Sequence, residues 1–264
     1  MSNLKRSLAP ITEEAWNFID QEAKERLQVK LKGRKFVDFV GPKGIEFAAV
    51  NTGRRVALDN DAKEGVSYSK RHVLPLIELE VPFTMKIDEI ESLVRGAEDV
   101  DTDSLAEAVK KLSQAENNAI FYGLAEGEIA GILDKSPYDL INIGEEGLVS
   151  AVAEGVQNLI KEDVEGPYAL LLGPELYSLL YKLDDKGYPI KKRLEEVLGG
   201  EVVPVPELAN KGLLISKRGE DFKLIVGQDI SIGFKEQKGD EIEFFLTESF
   251  TFRVDAPEAA IVLE

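Results

Sequence analysis

The chain has 264 residues, of which 44% are hydrophobic, so it can bury one large core or two smaller ones. Its 49 acidic and 32 basic residues give a net charge of −17, which disfavours nucleic acid as a partner because phosphate binding depends on lysine and arginine. No cysteine is available for disulfides or thiolate metal sites. Because no apolar run is long enough to cross a bilayer and the N-terminus lacks a signal-peptide core, we expect a cytoplasmic protein.

The first predicted element is a helix covering about Glu13–Lys30. Thr12 supplies a capping hydroxyl, and Glu13 and Glu14 place negative charge at the helix start, where the helix dipole favours it. A narrow apolar stripe predicts that one face packs on the protein and the other meets solvent. The stripe consists of Trp16, Ile19, Ala23 and Leu27.

Residues 46–80 are the part of the chain with the fewest candidates for a core. Short β-like runs are separated there by Asn51-Thr-Gly and by the polar stretch Asp59-Asn-Asp-Ala-Lys-Glu-Gly65. Such a segment predicts a surface hairpin or a long loop. Further along, Ser104-Leu-Ala-Glu107 matches a capping box, and apolar residues at helical spacing predict a long helix from there to about Gly123.

After Asp139 the pattern becomes α/β. It predicts a helix near Leu148–Lys161, helices opened by Pro174 and by Pro189, and strands at Tyr168–Leu172, Val202–Val205 and Leu213–Ser216. The last predicted element is a strand over Glu241–Val254, whose alternating pattern places apolar side chains on one face and Glu243, Thr247, Ser249 and Arg253 on the other.

The sequence contains no recognisable catalytic constellation. His72 is the only histidine, and no Gly-x-Ser-x-Gly segment supplies a nucleophile for it. Adjacent carboxylates such as Asp184-Asp185 and Glu145-Glu146 could bind a hard cation, but such pairs are expected by chance in so acidic a chain. We therefore predict no catalytic residue and no metal site.

Four blocks of the sequence, in this order, resemble the encapsulin shell proteins, which share the fold of tailed-phage capsid proteins. The blocks are Leu4-Lys-Arg-Ser-Leu-Ala-Pro-Ile-Thr-Glu-Glu-Ala-Trp16, Gly33-Arg-Lys-Phe-Val-Asp-Phe-Val-Gly-Pro42, Val226-Gly-Gln-Asp-Ile-Ser-Ile-Gly-Phe234 and the strand Glu241–Val254 that follows it. Two shorter pieces, Leu74-Pro-Leu-Ile-Glu78 and Glu165-Gly-Pro-Tyr168, lie between them. The resemblance implies an α+β fold of the HK97 phage-capsid type. It also implies a peripheral domain (1–45, 81–138 and 222–264), an extended β-hairpin loop (46–80) that pairs with a neighbouring subunit, and an axial domain (139–221).

The resemblance further implies a non-enzymatic shell that assembles from copies of itself around a cargo protein. Family cargoes include ferritin-like proteins and dye-decolourising peroxidases, which points to iron storage or oxidative-stress defence. The cargo's C-terminal peptide would lie in an inner-wall groove, and the corresponding residues here are Arg34, Asp38, Ile230, Ile232 and Phe234. The residues placed around the fivefold pore are Asp184, Asp185, Lys186, Gly187 and Tyr188.

Some encapsulins stack a flavin on an aromatic residue whose position corresponds to Asp88 in this chain. Without that aromatic ring we expect no bound flavin and no other cofactor. Two alternatives stay open: a prophage major capsid protein, disfavoured by the acidic composition, and an α/β hydrolase, disfavoured by the missing nucleophile motif.

Overall fold

The computed structural model describes residues 3–58, 66–144, 147–181 and 189–264. Its α-helices are α1 (Glu13–Lys30), α2 (Ile87–Val94), α3 (Asp103–Phe121), α4 (Ile132–Lys135), α5 (Gly147–Lys161), α6 (Pro174–Tyr177) and α7 (Ile190–Leu198). Its strands are β1 (Asp38–Val40), β2 (Ala49–Ala57), β3 (Ser69–Pro75), β4 (Ile77–Lys86), β5 (Gly123–Leu124), β6 (Ile129–Ala130), β7 (Tyr168–Leu172), β8 (Val202–Pro204), β9 (Gly212–Ser216), β10 (Phe222–Val226), β11 (Ser231–Lys238), β12 (Glu241–Val254) and β13 (Ala260–Leu263). Helix α1 and strands β7 and β12 have the predicted bounds.

Strand β12 organises a five-stranded sheet, since β4, β10 and β11 all pair with it in antiparallel fashion and β1 extends the sheet by pairing in parallel with β10. The predicted alternation of buried and less buried side chains holds over its first half. It fails at Ser249 and Thr251, which lie on the face predicted to be polar but are only 8% and 0% exposed. In that stretch both faces of the strand are covered, so consecutive side chains are buried.

Helices α1, α2 and α3 cover this sheet and enclose one of two hydrophobic cores. Thr12 caps α1 as predicted, accepting the backbone N–H of Ala15 at 3.2 Å. The predicted capping box on α3 is wrong, because the helix begins at Asp103 and Ser104 lies inside its first turn. The Ser104 hydroxyl instead donates to the carbonyl oxygen of Thr84, which ties α3 to β4.

The second core lies around a four-stranded sheet with the order β13-β9-β7-β8. Strands β7 and β9 are buried along their whole length, as the continuous apolar runs predict. One detail differs from the expected domain division. Residues 222–254 belong to the five-stranded sheet, whereas β13 leaves it and pairs antiparallel with β9, because its four buried residues complete the edge of the four-stranded sheet.

Strands β2 and β3 form the separate hairpin that the sequence predicts between residues 46 and 80. Strand β4 begins at Ile77 and pairs with β12, so the last residues of that range already belong to the main sheet. The outer half of the hairpin, residues 53–58 and 66–71, is exposed at every position.

Candidate functional site

The main candidate site is a groove between α1 and the start of β11. Helical periodicity brings a row of α1 side chains to one wall, since residues three and four apart share a face. The opposite wall consists of the residues that lead into β11, and the N-terminal segment closes one end. The groove has a volume of about 650 Å³. Its lining includes Asp20, Ala23, Lys24, Leu27, Gln28, Leu31, Asp229, Ile230, Ser231 and Ile232.

The floor of the groove is apolar and the rim is polar. Leu27, Leu31, Ile232 and Leu246 supply buried aliphatic surface from α1, β11 and β12. Four of the lining residues are basic and two are acidic, although the whole chain is strongly acidic. The basic residues are Arg6, Lys24, Arg34 and Lys35, and the acidic residues are Asp20 and Asp229. This arrangement suits an extended peptide with aliphatic side chains and a negative group.

Arg34 is held at the end of the groove by three carboxylates. Its Nε donates to both carboxylate oxygens of Glu116 at 3.0 and 2.9 Å, and its Nη1 donates to Asp229 Oδ1 at 2.9 Å. Its Nη2 donates to Glu116 Oε2 at 2.6 Å and to Glu248 Oε1 at 2.5 Å. The Arg34 side chain is 17% exposed, whereas those of Glu116 and Glu248 are fully buried. We call these four residues the Arg34 cluster.

The Arg34 cluster contains more negative than positive charge, and this changes its protonation. Burial and the neighbouring Glu116 carboxylate raise the pKa of Glu248 well above its ordinary value, although Arg34 opposes the shift. Glu248 Oε2 has no hydrogen-bond partner among the described residues. A proton held by Glu248 leaves the Arg34 guanidinium beside fewer buried negative charges.

Gly33 lets the chain pass close to α3 just before Arg34. Its backbone N–H donates to Asn117 Oδ1 at 2.9 Å, and a side-chain Cβ at this position would lie 2.6 Å from Ile120 Cδ1. Asn117 is itself buried and donates to the carbonyl oxygen of Lys30 at 2.9 Å. The end of α1 and the Arg34 segment are therefore anchored to the same turn of α3.

The structure brings three of the five residues predicted for peptide binding to this groove: Arg34, Ile230 and Ile232. The other two are not among its lining. Asp38 lies on β1, where its Oδ2 accepts the backbone N–H of Glu220 at 2.6 Å, and Phe234 is 8% exposed and packs in the core beneath the sheet. Arg34 and Asp38, four residues apart, do not have to pair, because Arg34 is already bonded within its cluster. The binding role of all five stays a prediction.

Sequence reasoning missed several groove residues. Asp20, Lys24 and Gln28 share one side of α1 with the apolar stripe, so the spacing of that stripe could have indicated them. Asp229 lies inside the Gly-Gln-Asp block that was singled out. Glu116 and Glu248 carried no local signal, since nothing near either residue in the sequence distinguishes it from many other glutamates.

The remaining predicted sites give a mixed picture. The five pore residues, Asp184–Tyr188, and the pair Glu145-Glu146 lie outside the described residues. Among the residues that the structure does describe, there is no group of acidic and histidine side chains placed to hold a metal ion. His72 lies in the hairpin, with its Nδ1 atom 3.2 Å from the hydroxyl of Thr52. Asp88 is an exposed residue of α2 that pairs with Arg95 at 3.5 Å.

Comparison with known proteins identifies the family. The sequence model of the family described as "Encapsulating protein for peroxidase" matches residues 1–251. The chain is 39% identical over 271 residues to a type 1 encapsulin shell protein of Rhodospirillum rubrum, covering 100% of this chain and 96% of the relative. It is 36% identical over 265 residues to one of Rhodococcus erythropolis, covering 100% of both. This chain therefore belongs to the encapsulin shell proteins.

Solved structures agree on the fold. A virus-like particle from Pyrococcus furiosus superposes with a TM-score of 0.64 at 21% identity, covering 92% of this chain and 98% of that one. The capsid of an empty GTA particle gives a TM-score of 0.59 at 15% identity, with 89% of each chain covered. These likenesses confirm the predicted α+β fold of the HK97 phage-capsid type. In the described part of the chain, no helix combines the length and apolarity needed to span a membrane.

Proposed function

We propose that this chain assembles into a closed shell around a cargo protein and holds that cargo by a C-terminal peptide bound in the groove between α1 and β11. The family to which the chain belongs is one of structural shell proteins, and the family description names a peroxidase as the encapsulated protein. A peroxidase, or a ferritin-like protein, is therefore the cargo we propose, with oxidative-stress defence or iron storage as the outcome. The shell itself does no chemistry.

The proposal rests on the groove between α1 and β11, which has an apolar floor and a basic rim although the protein as a whole is acidic. Within the described residues neither Lys24 nor Lys35, which line it, forms an ion pair with a carboxylate of this chain. A free C-terminal carboxylate is a suitable partner for such lysines, and aliphatic side chains of the peptide can occupy the floor. The Arg34 cluster keeps the end of the groove rigid, so less ordering is needed on binding.

One bound peptide is expected to bind weakly. Burying two or three aliphatic side chains contributes roughly 1.5–3 kcal/mol each before the cost of ordering the peptide, which corresponds to micromolar affinity or weaker. A multimeric cargo occupies several grooves of one shell at the same time. Firm retention would then come from this multivalency rather than from any single contact.

The proposal is tested by placing a charge on the groove wall. Ile230→Asp should leave shells of normal size but remove the cargo, because a carboxylate would be buried against the aliphatic side chains of the peptide. The shell is co-expressed with the dye-decolourising peroxidase of the same organism, and the ratio of haem absorbance to shell protein is measured in purified particles. The matched control is Val29→Asp, which lies on α1, is 63% exposed and does not line the groove.

We expect at least tenfold less haem per shell for Ile230→Asp and normal loading for Val29→Asp. Normal loading of both variants would show that the cargo is held elsewhere. If particles of the unaltered chain contain no peroxidase, the same assay is run with a ferritin-like protein, and failure of both overturns the proposed cargo.

A further inference from the structure

Strand β11 leaves one of its two edges open beside the groove. It lies at the end of the strand order β1-β10-β12-β11, so its inner edge pairs with β12 and no described strand pairs with its outer edge. The backbone N–H of Phe234 points outward, because it donates to the carbonyl oxygen of Leu4 at 2.8 Å. Main-chain groups alternate along a strand, so those of Ile232, which lines the groove, point outward as well. An open edge of this kind binds extended chain.

The N-terminal residues already occupy part of this edge. The bond between Leu4 and Phe234 is the contact that an added strand would make, and Leu4 is also among the residues that line the groove. One residue earlier, Asn3 Nδ2 donates to Gln228 Oε1 at 2.7 Å. The start of the chain therefore lies against the β11 wall of the groove, in the place of an incoming peptide.

The same segment also reaches the α1 wall. Arg6 Nη1 and Nη2 donate to Asp20 Oδ1 and Oδ2 at 3.0 and 2.7 Å, and Asp20 lines the groove. The guanidinium carbon of Arg6 lies 4.0 Å from the centre of the Trp16 ring. Residues 3–8 therefore cross one end of the groove from β11 to α1. We call these residues the N-terminal strap.

Few contacts hold the N-terminal strap closed. None of its residues is buried, and Leu8 is 61% exposed. The pair between Arg6 and Asp20 is partly exposed on both sides, and such pairs contribute little to stability. Segments with few buried apolar contacts open at a small cost in free energy while the rest of the fold stays intact. The strap can therefore leave the groove without unfolding of the subunit.

We propose that the N-terminal strap is an autoinhibitory contact, which closes one end of the groove in the empty subunit and leaves it when a cargo peptide binds along the edge of β11. This inference rests on the proposed cargo binding and adds how that same groove is regulated. In the closed state Leu4 takes the place of an aliphatic residue of the peptide, and its carbonyl oxygen takes the place of the peptide main chain at Phe234. The apparent affinity for the peptide is then reduced by the fraction of subunits whose strap is open. Until cargo arrives, the closed strap also protects the open strand edge from other extended chains.

Charge reversal within the pair formed by Arg6 and Asp20 tests this inference. Arg6→Asp and Asp20→Arg each replace the pair by two like charges and should open the strap, whereas the two changes together restore opposite charges. The single changes alter the charge of the groove rim in opposite directions, so rim charge alone cannot raise peptide binding in both. Lys5→Asp is the matched control, because Lys5 is exposed, lies outside the groove lining and gives the same change in net charge as Arg6→Asp. Aspartate also tolerates the left-handed backbone of this position.

Each variant is co-expressed with a monomeric fluorescent protein that ends in the C-terminal peptide of the peroxidase, at a level too low to fill the grooves. A monomeric cargo occupies one groove, so its fluorescence per shell protein reports the affinity of a single site. We expect both single reversals to raise this loading about threefold or more, and the double reversal and Lys5→Asp to stay near the native value.

Several results of the loading assay would overturn the autoinhibitory role of the strap. They are unchanged or lower loading in either single reversal, and an equal rise in Lys5→Asp or in the double reversal. Lower loading in both single reversals would show that the strap holds the peptide instead of excluding it. Native shells that take up no fusion protein would overturn the proposed peptide binding itself, and this inference with it.

Trp16 is the only tryptophan of the chain and gives a second measurement, which needs no variant. Its side chain is 7% exposed, lies against Arg6 of the strap and is not part of the groove lining, so a peptide in the groove would not cover it. Displacement of the strap by cargo should therefore expose the ring. Acrylamide quenching of Trp16 emission is compared between empty and loaded native shells, with a fusion protein whose own tryptophans are replaced by phenylalanine.

We expect loading to increase the quenching of Trp16 and to shift its emission to longer wavelength. Empty Arg6→Asp shells give the reference value for an open strap, and empty Lys5→Asp shells give the value for a closed one. Quenching that stays the same or falls on loading would show that the strap remains in place beside the bound peptide, which would overturn the inference.

Discussion

Arginine occupies two contrasting environments in this molecule. Arg34 is 17% exposed, and its three nitrogen donors reach Glu116, Glu248 and Asp229 within the same subunit. Arg54, Arg55 and Arg71 stand on an exposed hairpin without a carboxylate partner in the described part of their own chain. In the first environment the arginine is paired with carboxylates of its own subunit, and it supports one end of the groove. The second needs no counter-charge within the subunit, because its side chains are solvated.

The difference follows from the cost of removing a charge from water. Charges that must be buried for the fold are neutralised locally, because an unpaired buried charge costs several kcal/mol. The charges on the hairpin stay in solvent, where an unpaired arginine costs almost nothing. Breaking either environment should therefore affect a different property, and the following predictions run from the largest expected effect to the smallest.

Arg34→Ala should have the largest effect on subunit stability. It leaves Glu116 and Glu248 fully buried without their counter-charge, and breaking a buried pair in this way costs about 3–5 kcal/mol. We expect poor soluble yield or a clear fall in the thermal unfolding midpoint. Arg55→Ala is the comparison on the hairpin, and it should change subunit unfolding by less than about 0.5 kcal/mol. Equal thermal midpoints for Arg34→Ala and the native protein would contradict this account of the Arg34 cluster.

Glu248→Gln tests the protonation of the cluster. The folded pKa of Glu248 is raised, so its contribution to stability is fully present below the unfolded pKa of about 4.3 and is lost as pH rises through the folded pKa. The loss amounts to about 1.4 kcal/mol at most for each pH unit in that window. Glutamine keeps the shape without the charge. We therefore expect the variant to gain stability relative to the native protein as pH rises from 5 towards 9, measured by thermal unfolding.

Glu243→Gln is the control, because its effect on stability should change with pH in the opposite direction. Hydrogen bonds from Lys235 and Lys238, both at 2.8 Å, lower the pKa of this partly buried glutamate on β12. Its contribution is present above the unfolded pKa and lost as pH falls through the folded one. The control variant should therefore lose stability at neutral pH and approach the native protein in acid. Parallel pH profiles for the two variants would contradict the assignment.

Arg6→Ala should have a much smaller effect than Arg34→Ala. Arg6 pairs with Asp20 at 2.7 Å, but both side chains are partly exposed, at 32% and 42%. Its guanidinium carbon also lies 4.0 Å from the centre of the Trp16 ring. Together these contacts should be worth about 1 kcal/mol, a small shift in the thermal midpoint. Arg6→Lys should recover part of this loss in the thermal midpoint. If Arg6→Ala lowered the midpoint as much as Arg34→Ala does, the contribution of these two arginines to stability would not depend on their exposure.

The sequence by itself determined the elements whose signals are local. The cap and acidic start of α1, the apolar run of β7 and the alternation at the beginning of β12 are encoded by neighbouring residues, so their bounds could be predicted. The family could also be predicted, since its motifs are short and stand in a fixed order. The hairpin was predicted from what residues 46–80 lack, which is enough apolar surface for a core of their own.

Only the tertiary structure decided which of these residues meet. The donors of Arg34 reach partners 82, 195 and 214 residues away, and no local pattern distinguishes Glu116 or Glu248 from other glutamates. The same limit explains why the position of Phe234 was not predicted. Its place in the alternation of the strand was compatible with the groove or with the core. The packing of α1 and α3 against the sheet buries it in the core. The limit also explains β13, which was not among the predicted strands and which pairs with β9 of the four-stranded sheet. Periodicity specifies the face that is buried, whereas the surface that covers this face depends on the path of the whole chain.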